Sequence, residues 1–177
     1  MNASTKSEIL GEALTVLLGV AGPQKSERIV ANTPMVAYGA PSFYPQIPNV
    51  PPYHNNGIWP FVQAYWNWAA AETGNEKALE HGLASLYRPA ALFLTNKENF
   101  VAENGDFEGT QINSDRQLWS VAGNLAMVYR VMLGMQFEPD KLVLDPTVPE
   151  SMKGTKKIEG FPYRDAVLNI ELAGYGD

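Results

Sequence analysis

A proline-rich segment between residues 33 and 56 limits the fold more than any other feature of the sequence. Each proline removes a backbone N–H donor and restrains the residue before it, so no helix or central strand can run through the segment. The segment also carries many apolar and aromatic side chains, whereas a linker is polar. We therefore expect an ordered loop that packs against a larger body. Its six prolines are Pro34, Pro41, Pro45, Pro48, Pro51 and Pro52.

Apolar residues recur with the helical period on both sides of this loop. A Thr-Gly-Asn turn at 73–75 joins two of the predicted helices, which should form an αα-hairpin. Ser114 and Gln117 have the spacing of a capping box, which predicts a helix start there. A polar loop is expected over residues 95–113. The pattern predicts helices over residues 7–20, 23–31, 58–73, 75–94 and 114–134.

The last part of the chain changes to the alternating period of short strands. Strands are predicted over residues 141–144, 156–161 and 166–172. The fold class that follows is mainly α, with a helical region over residues 1–135 and a small β region over residues 136–177. A length of 177 residues fits about one domain.

Net charge and the length of the apolar runs exclude two classes of binding partner. Thirteen Lys and Arg residues against nineteen Asp and Glu give a net charge of −6, so we expect no nucleic-acid partner. Apolar runs are far shorter than the roughly 18 residues of a membrane span, so we expect no membrane partner. The first residues are polar and resemble no signal peptide. The compartment therefore stays open: cytoplasmic, or periplasmic if the natural N-terminus lies upstream.

The same composition bears on cofactors. Cysteine is absent and only His54 and His81 provide imidazoles, so no transition-metal site is expected. A calcium site built from carboxylates stays open. Motifs for nucleotide, zinc or serine-nucleophile chemistry are also missing from the sequence. We therefore expect no metal and no cofactor.

Amide and aromatic residues concentrate where the proline-rich loop enters the third predicted helix. Residues 53–61 read YHNNGIWPF. Asn and His side chains offer directional donors and acceptors, whereas Trp and Tyr offer flat apolar faces with a polar edge. This mixture suits a sugar ring, which has hydroxyls at its edge and C–H groups on its faces. The alternative is structural, with Trp59 in the core and Asn55 and Asn56 capping the helix.

Carboxylates cluster in the polar loop that precedes Trp119. Glu98, Glu103 and Glu108 are the glutamates of this loop. Glycosidases need two carboxylates, one as the general acid and the other as a base or nucleophile. The loop could supply one of them. The alternative is a solvated acidic loop without a chemical role.

Three segments together resemble a known family. Residues 53–61 look like the YHNGxVWPF segment of six-hairpin glycosidases of the glycogen-debranching type. Residues 118–123 (LWSVAG) are similar to the QxWSxA helix start of those enzymes, and residues 144–164 are similar to their C-terminal strand region. The three segments occur in the family's order and with its spacing.

The resemblance implies an (α/α)6 toroid that hydrolyses glycosidic bonds without a cofactor, usually with inversion. In related glucoamylase-like enzymes the base is a Glu in the loop before the Trp-Ser helix. The spacing to Trp119 favours Glu103 as this base, while Glu98 and Glu108 remain candidates. The residues that would line the sugar subsite are Tyr53, His54, Asn55, Trp59 and Trp119.

The chain departs from the family in length. A twelve-helix toroid needs over about 300 residues at about 11–12 residues per helix plus loops, and no residue stands out as the general acid. We therefore expect the C-terminal portion of a larger glycoside hydrolase. Alone it should be inactive and should associate, either with further copies or with the remainder of the parent enzyme, because helix faces would stay uncovered.

Two other interpretations stay open. One is a non-catalytic helical module that binds carbohydrate or protein through the same aromatic loops. The other is a structural helical domain without a site. The sugar, the linkage and the anomer are not indicated, because the family acts on glucosidic, mannosidic and other substrates.

Overall fold

The computed structural model describes residues 5–176. The chain forms two compact units, Met1–Val128 and Tyr129–Asp177. Within the described residues, the first unit holds five α-helices and two small sheets, and the second holds two hairpins. The helices are α1 Ile9–Leu17, α2 Pro23–Asn32, α3 Pro60–Glu72, α4 Glu76–Phe93 and α5 Leu118–Ala126. A π-helix over Met127–Met132 and a 3-10 turn over Glu150–Met152 complete the helical elements of the described chain.

Every sheet in the described part of the chain has two antiparallel strands. In the first unit, β1 (Ser7–Glu8) pairs with β2 (Phe43–Tyr44), and β3 (Gly57–Ile58) pairs with β4 (Phe100–Val101). The hairpins of the second unit are β5–β6 and β7–β8. Their strands are β5 Met135–Phe137, β6 Leu142–Leu144, β7 Lys156–Tyr163 and β8 Ala166–Leu172.

Helix α3 is the centre of the first unit, packed by α1, α4 and α5. Because it is covered on several sides, two of its polar side chains are fully buried and must bond internally. The Gln63 carbonyl oxygen accepts from Ala40 N at 2.8 Å, and its amide donates to Asn67 at 2.7 Å. Gly82 of α4 leaves room for Asn67, since a Cβ there would lie 1.8 Å from the Asn67 oxygen. This pair ties the proline-rich loop to the helical core.

The predicted fold class is wrong. Over residues 5–176 the structure is mixed, with five α-helices and four two-stranded sheets, and it is not a helical toroid followed by a small β region. Strands β1 to β4 lie among the helices, where they join loops to one another. Each is two residues long, too short to leave an alternating pattern in the sequence.

The predicted helix start at Ser114 is also wrong. Helix α5 begins at Leu118, and its N-cap residue Gln117 makes no side-chain cap bond. The Ser114 carbonyl instead accepts from Glu98 N at 3.0 Å, and Arg116 has a φ of 56°. That left-handed residue interrupts the backbone where the helix was expected. The other helices agree with prediction within a few residues, and Asn75 caps α4 through Ala78 N at 3.1 Å.

The proline-rich loop is ordered, as predicted. Ala40, Pro41 and Ser42 are buried. Strand β2 lies in this loop, and Phe43 also bridges to Asn55. The loop therefore packs on the first unit and carries the chain to the aromatic segment.

Candidate functional site

A tight turn over Tyr53–Trp59 (the aromatic turn) begins the site. A Cβ on Gly57 would lie 1.7 Å from the Tyr53 carbonyl oxygen, so only glycine fits there. The Trp59 indole N–H donates to that same oxygen at 2.9 Å. The Tyr53 N–H donates to the Asn55 carbonyl at 2.9 Å. The aromatic turn is thus fixed by its own backbone and by one tryptophan.

Five rings gather on this turn and at the starts of α3 and α5. The His54 ring stacks on Trp59 with centroids 4.9 Å apart and planes 3° apart, and Tyr53 meets both rings edge-on. Phe61 stacks on Trp119 at 4.6 Å and 15°. Trp59 and Trp119 meet at 6.1 Å. We call these five residues, Tyr53, His54, Trp59, Phe61 and Trp119, the aromatic cluster.

The cluster has a buried part and an open part. Trp59 is only 3% exposed, whereas Trp119 is 46% exposed. His54 is exposed and Tyr53 is half-buried. Solvent therefore reaches the tryptophan that α5 presents, while Trp59 supports the rings around it.

The β3–β4 pair brings the polar loop of residues 95–113, which carries Glu98, Glu103 and Glu108, to the aromatic turn. Gly57 lies opposite Val101, and Ile58 lies opposite Phe100. Two further backbone bonds hold the same segments together, from Ala102 N to Asn56 O and from Gln111 N to Pro52 O, at 2.9 and 2.8 Å. A two-residue strand pair is weak alone, but here backbone bonds extend it at several points.

Glu98 lies just before β4 and is the buried carboxylate of this loop, 6% exposed. The Tyr53 hydroxyl donates to its Oε1 at 3.2 Å. Within the described residues, no lysine, arginine or histidine lies in ion-pair distance of Glu98; the neighbouring Lys97 pairs with Asp115 at 2.5 Å. A buried carboxylate held by one hydroxyl keeps acceptor capacity for another donor.

This contact also affects Tyr53. Burial raises the pKa of the Tyr53 phenol above its ordinary value, and the hydrogen bond to Glu98 and the charge of that carboxylate raise the pKa further. A phenolate here would face a carboxylate. Tyr53 therefore holds its proton and acts as a hydrogen-bond donor to Glu98.

Two asparagines keep the backbone around Glu98 in place. The Asn113 side-chain oxygen accepts from Glu98 N at 3.3 Å, and its amide donates to the Asn99 carbonyl at 2.7 Å. Asn99 is fully buried and donates to Ile112 O at 3.0 Å. Sequence analysis missed this pair; the signal was two asparagines flanking a polar loop, a residue type that bonds to loop backbone.

The predicted subsite residues are brought together in one turn, but with different surroundings. Asn55 is buried and bonds to the proline-rich loop, with its oxygen accepting from Ile47 N at 2.6 Å and its amide donating to the carbonyls of Ile47 and Val50. It therefore shapes the loop. Tyr53, His54 and Trp119 offer the accessible surfaces of the predicted set.

The other two glutamates of the loop differ from Glu98. Glu103 and Glu108 are both exposed. Glu103 lies in the turn after β4, and among the described residues its carboxylate makes no hydrogen bond or ion pair. Glu108 N–H bonds to Asp106 at 3.0 Å. The base role of Glu103 stays a prediction, and Glu98 is the glutamate that contacts the aromatic cluster.

In the described part of the chain, no group of three or more His, Asp or Glu side chains is arranged to hold a metal ion. Over those same residues, no helix is both long enough and apolar enough to cross a membrane.

No protein-family model and no curated protein sequence matches the chain. The geometry of the aromatic cluster and Glu98, together with the motif resemblance, is therefore what points to a function.

Proposed function

We propose that the aromatic cluster binds a sugar ring and that Glu98 is the general base of glycoside hydrolysis. The observation that carries the proposal is the hydrogen bond between Tyr53 and Glu98. It joins a buried carboxylate to the cluster whose outer ring, Trp119, is open to solvent.

Trp119 supplies the stacking surface. One face of the ring rests on Phe61, which fixes its orientation. A pre-oriented aromatic ring loses little conformational entropy when a ligand stacks on it. The C–H face of a pyranose would lie against Trp119, and the exposed His54 would hydrogen-bond to its hydroxyls.

Glu98 supplies the carboxylate. Tyr53 donates to Oε1, and among the described residues Oε2 accepts no hydrogen bond, so Oε2 can accept from a water. In an inverting glycosidase the base takes a proton from the water that attacks the anomeric carbon, while an acid about 6.5–9.5 Å away protonates the leaving oxygen. We assign no residue to the acid.

Parallel variants test the base. Because the chain alone is expected to be inactive, we would compare Glu98→Gln, Glu103→Gln and Glu108→Gln with wild type in the self-associated chain or in its parent enzyme, using reducing-end release from glucosidic and mannosidic oligosaccharides. Saccharide binding is followed by isothermal titration calorimetry, which does not depend on the tryptophan that one of the variants removes. Glu98→Gln should lose at least about 100-fold in hydrolysis, since general base catalysis contributes about 10²–10⁴-fold. It should still bind saccharide, because the amide oxygen can accept from Tyr53.

Two outcomes would contradict this proposal. Loss of hydrolysis in Glu103→Gln with Glu98→Gln fully active would give the role to Glu103. Equal saccharide binding by Trp119→Ala and wild type would show that Trp119 is not the stacking surface. Tyr65→Ala, at a residue of α3 that is 40% exposed, is the matched control and should bind as wild type does.

A non-catalytic saccharide-binding module is the second candidate. The observation in its favour is that no residue of the sequence stands out as the general acid. Saccharide binding without hydrolysis, unchanged in Glu98→Gln, would select this module.

A further inference from the structure

A cleft apart from the aromatic cluster lies in the first unit between α4, the turn at Ala37–Tyr38 and the segment Phe100–Gly105. Its volume is about 60 Å³. Most of its wall is apolar: the lining includes Ala37, Ala84, Pro89 and Phe100. The proposed glycosidase chemistry does not use it.

His81 also lines this cleft. Its Nε2 is shielded from solvent and has no hydrogen-bond partner among the described residues. Buried polar atoms in proteins are rarely left unpaired, and an unpaired one marks a place where a ligand or water gains a bond. Ser85, which also lines the cleft, already donates its hydroxyl to the His81 carbonyl at 2.8 Å.

Arg88 contributes a positive charge. It lies two turns after His81 on α4, so both residues share one face of the helix. Its guanidinium lies over the Tyr38 ring, 4.9 Å from the centroid. Within the described part of the chain, no carboxylate lies in ion-pair distance of Arg88. Stacking on an aromatic ring orients the guanidinium and leaves its N–H edge for an acceptor.

We propose that this cleft binds a small aliphatic carboxylate of two to four carbons. The guanidinium of Arg88 matches a carboxylate in shape and charge. The His81 ring would border the same anion, and the short alkyl chain would lie against the alanines and Phe100. The volume suits about four to six non-hydrogen atoms, at about 10–15 Å³ for a water-sized group. A phosphate would leave several oxygens facing an apolar wall, which is unfavourable.

The chain's two histidines make the test direct. In ¹⁵N-labelled protein, propionate is titrated while the imidazole resonances of His81 and His54 are followed by NMR. The His81 resonances should shift and saturate at millimolar propionate. Those of His54, in the aromatic cluster, should stay in place. Propionamide, which has the same shape without charge, should bind at least about tenfold more weakly, because charge-assisted hydrogen bonds are about twice as strong as neutral ones.

Variants complete the test. Arg88→Gln should weaken propionate binding at least about tenfold, whereas Arg28→Gln, at an exposed arginine of α2, should leave it unchanged. Circular dichroism checks that both variants fold. The proposal is overturned by His81 shifts that never saturate, by equal shifts of both histidines, by equal binding of propionamide, or by unchanged binding in folded Arg88→Gln. Tighter binding of inorganic phosphate than of propionate would also overturn the carboxylate assignment.

Discussion

Two glutamates on either side of β4 have opposite surroundings. Glu98, before the strand, is 6% exposed and accepts a hydrogen bond from Tyr53 at 3.2 Å. Glu103, after the strand, is exposed in a turn. Both lie in the polar loop of residues 95–113. Their difference in burial therefore depends on the two-residue strand pair β3–β4, whose second strand lies between them in this loop.

The backbone explains the difference. Before β4, the Glu98 N–H is held by Ser114 and Asn113 from the far end of the loop. After β4, the Gly105 N–H bonds back to the Val101 carbonyl at 2.8 Å, so the intervening turn closes on itself. A self-closed turn points its side chains to solvent. Distance along the sequence from Trp119 therefore says little about which carboxylate meets the aromatic cluster.

Breaking the aromatic turn should remove the difference between the two glutamates, with the largest effect on stability. In Gly57→Ala, the new Cβ would lie 1.7 Å from the Tyr53 carbonyl, which must move. We expect a loss of at least about 3 kcal/mol in the free energy of unfolding, measured by urea denaturation. This loss has two causes. The backbone of the turn is displaced, and the hydrogen bonds of Trp59 to Tyr53 and of Tyr53 to Glu98 are weakened.

Gly22→Ala is the matched control for this substitution. Gly22 has no neighbouring heavy atom within 4 Å of the position of a Cβ, and its φ is −71°. It is the N-cap of α2, so alanine should cost about 1 kcal/mol or less. Equal losses in the two variants would show that the aromatic turn does not depend on Gly57.

The sequence predicted the helices of the first unit well because their apolar periodicity spans several turns. It also predicted that the proline-rich loop is ordered, from aromatic residues that a linker would lack. The helix start at Ser114 failed because a capping-box pattern is local, while the Ser114 carbonyl is taken by Glu98 from a distant segment. Local patterns do not reveal such long-range bonds.

Only some of the groups around the candidate site can be recognised from the sequence. Residues 53–61 concentrate aromatic and amide groups, and the structure brings their rings together, while their role in binding stays a prediction. The role of Asn55 in holding Ile47 and Val50 was not foreseen, since it depends on how the proline-rich loop folds back. The burial of Glu98 could not be predicted either. It depends on the β3–β4 pair, and strands of two residues leave no recognisable pattern of alternating hydrophobicity.

Truncating each glutamate to alanine tests the difference in burial between Glu98 and Glu103. The expected change in stability is smaller than that of Gly57→Ala. Glu98→Ala leaves the Tyr53 hydroxyl without its acceptor and should cost about 2–3 kcal/mol in the free energy of unfolding. Glu103→Ala removes an exposed side chain and should change stability by less than about 0.5 kcal/mol. Urea denaturation of both variants measures the contrast. Similar losses of stability in the two variants would mean that the buried contact between Glu98 and Tyr53 does not stabilise the fold.

Removing only the Tyr53 hydroxyl should have the smallest effect, and that effect should depend on pH. Tyr53→Phe loses one hydrogen bond to a carboxylate, so we expect a cost of about 1.5 kcal/mol at neutral pH, the lower end for a bond to a charged group, because Tyr53 is only half-buried. The pKa of Tyr53 is raised in the folded protein by burial and by Glu98. The folded state therefore keeps this proton at pH values where the unfolded state has lost it.

The sign follows from that proton. The stability that the Tyr53 hydroxyl contributes is fully present below its ordinary pKa of about 10, and it declines as pH rises from there toward the higher pKa of the folded state. The difference in unfolding free energy between wild type and Tyr53→Phe should thus shrink as pH rises above about 10. Tyr44→Phe, at an exposed tyrosine, should give no such change. A wild-type advantage that stays constant across this range would mean that Glu98 does not act on Tyr53, and the contact that distinguishes Glu98 from Glu103 would lose its electrostatic basis.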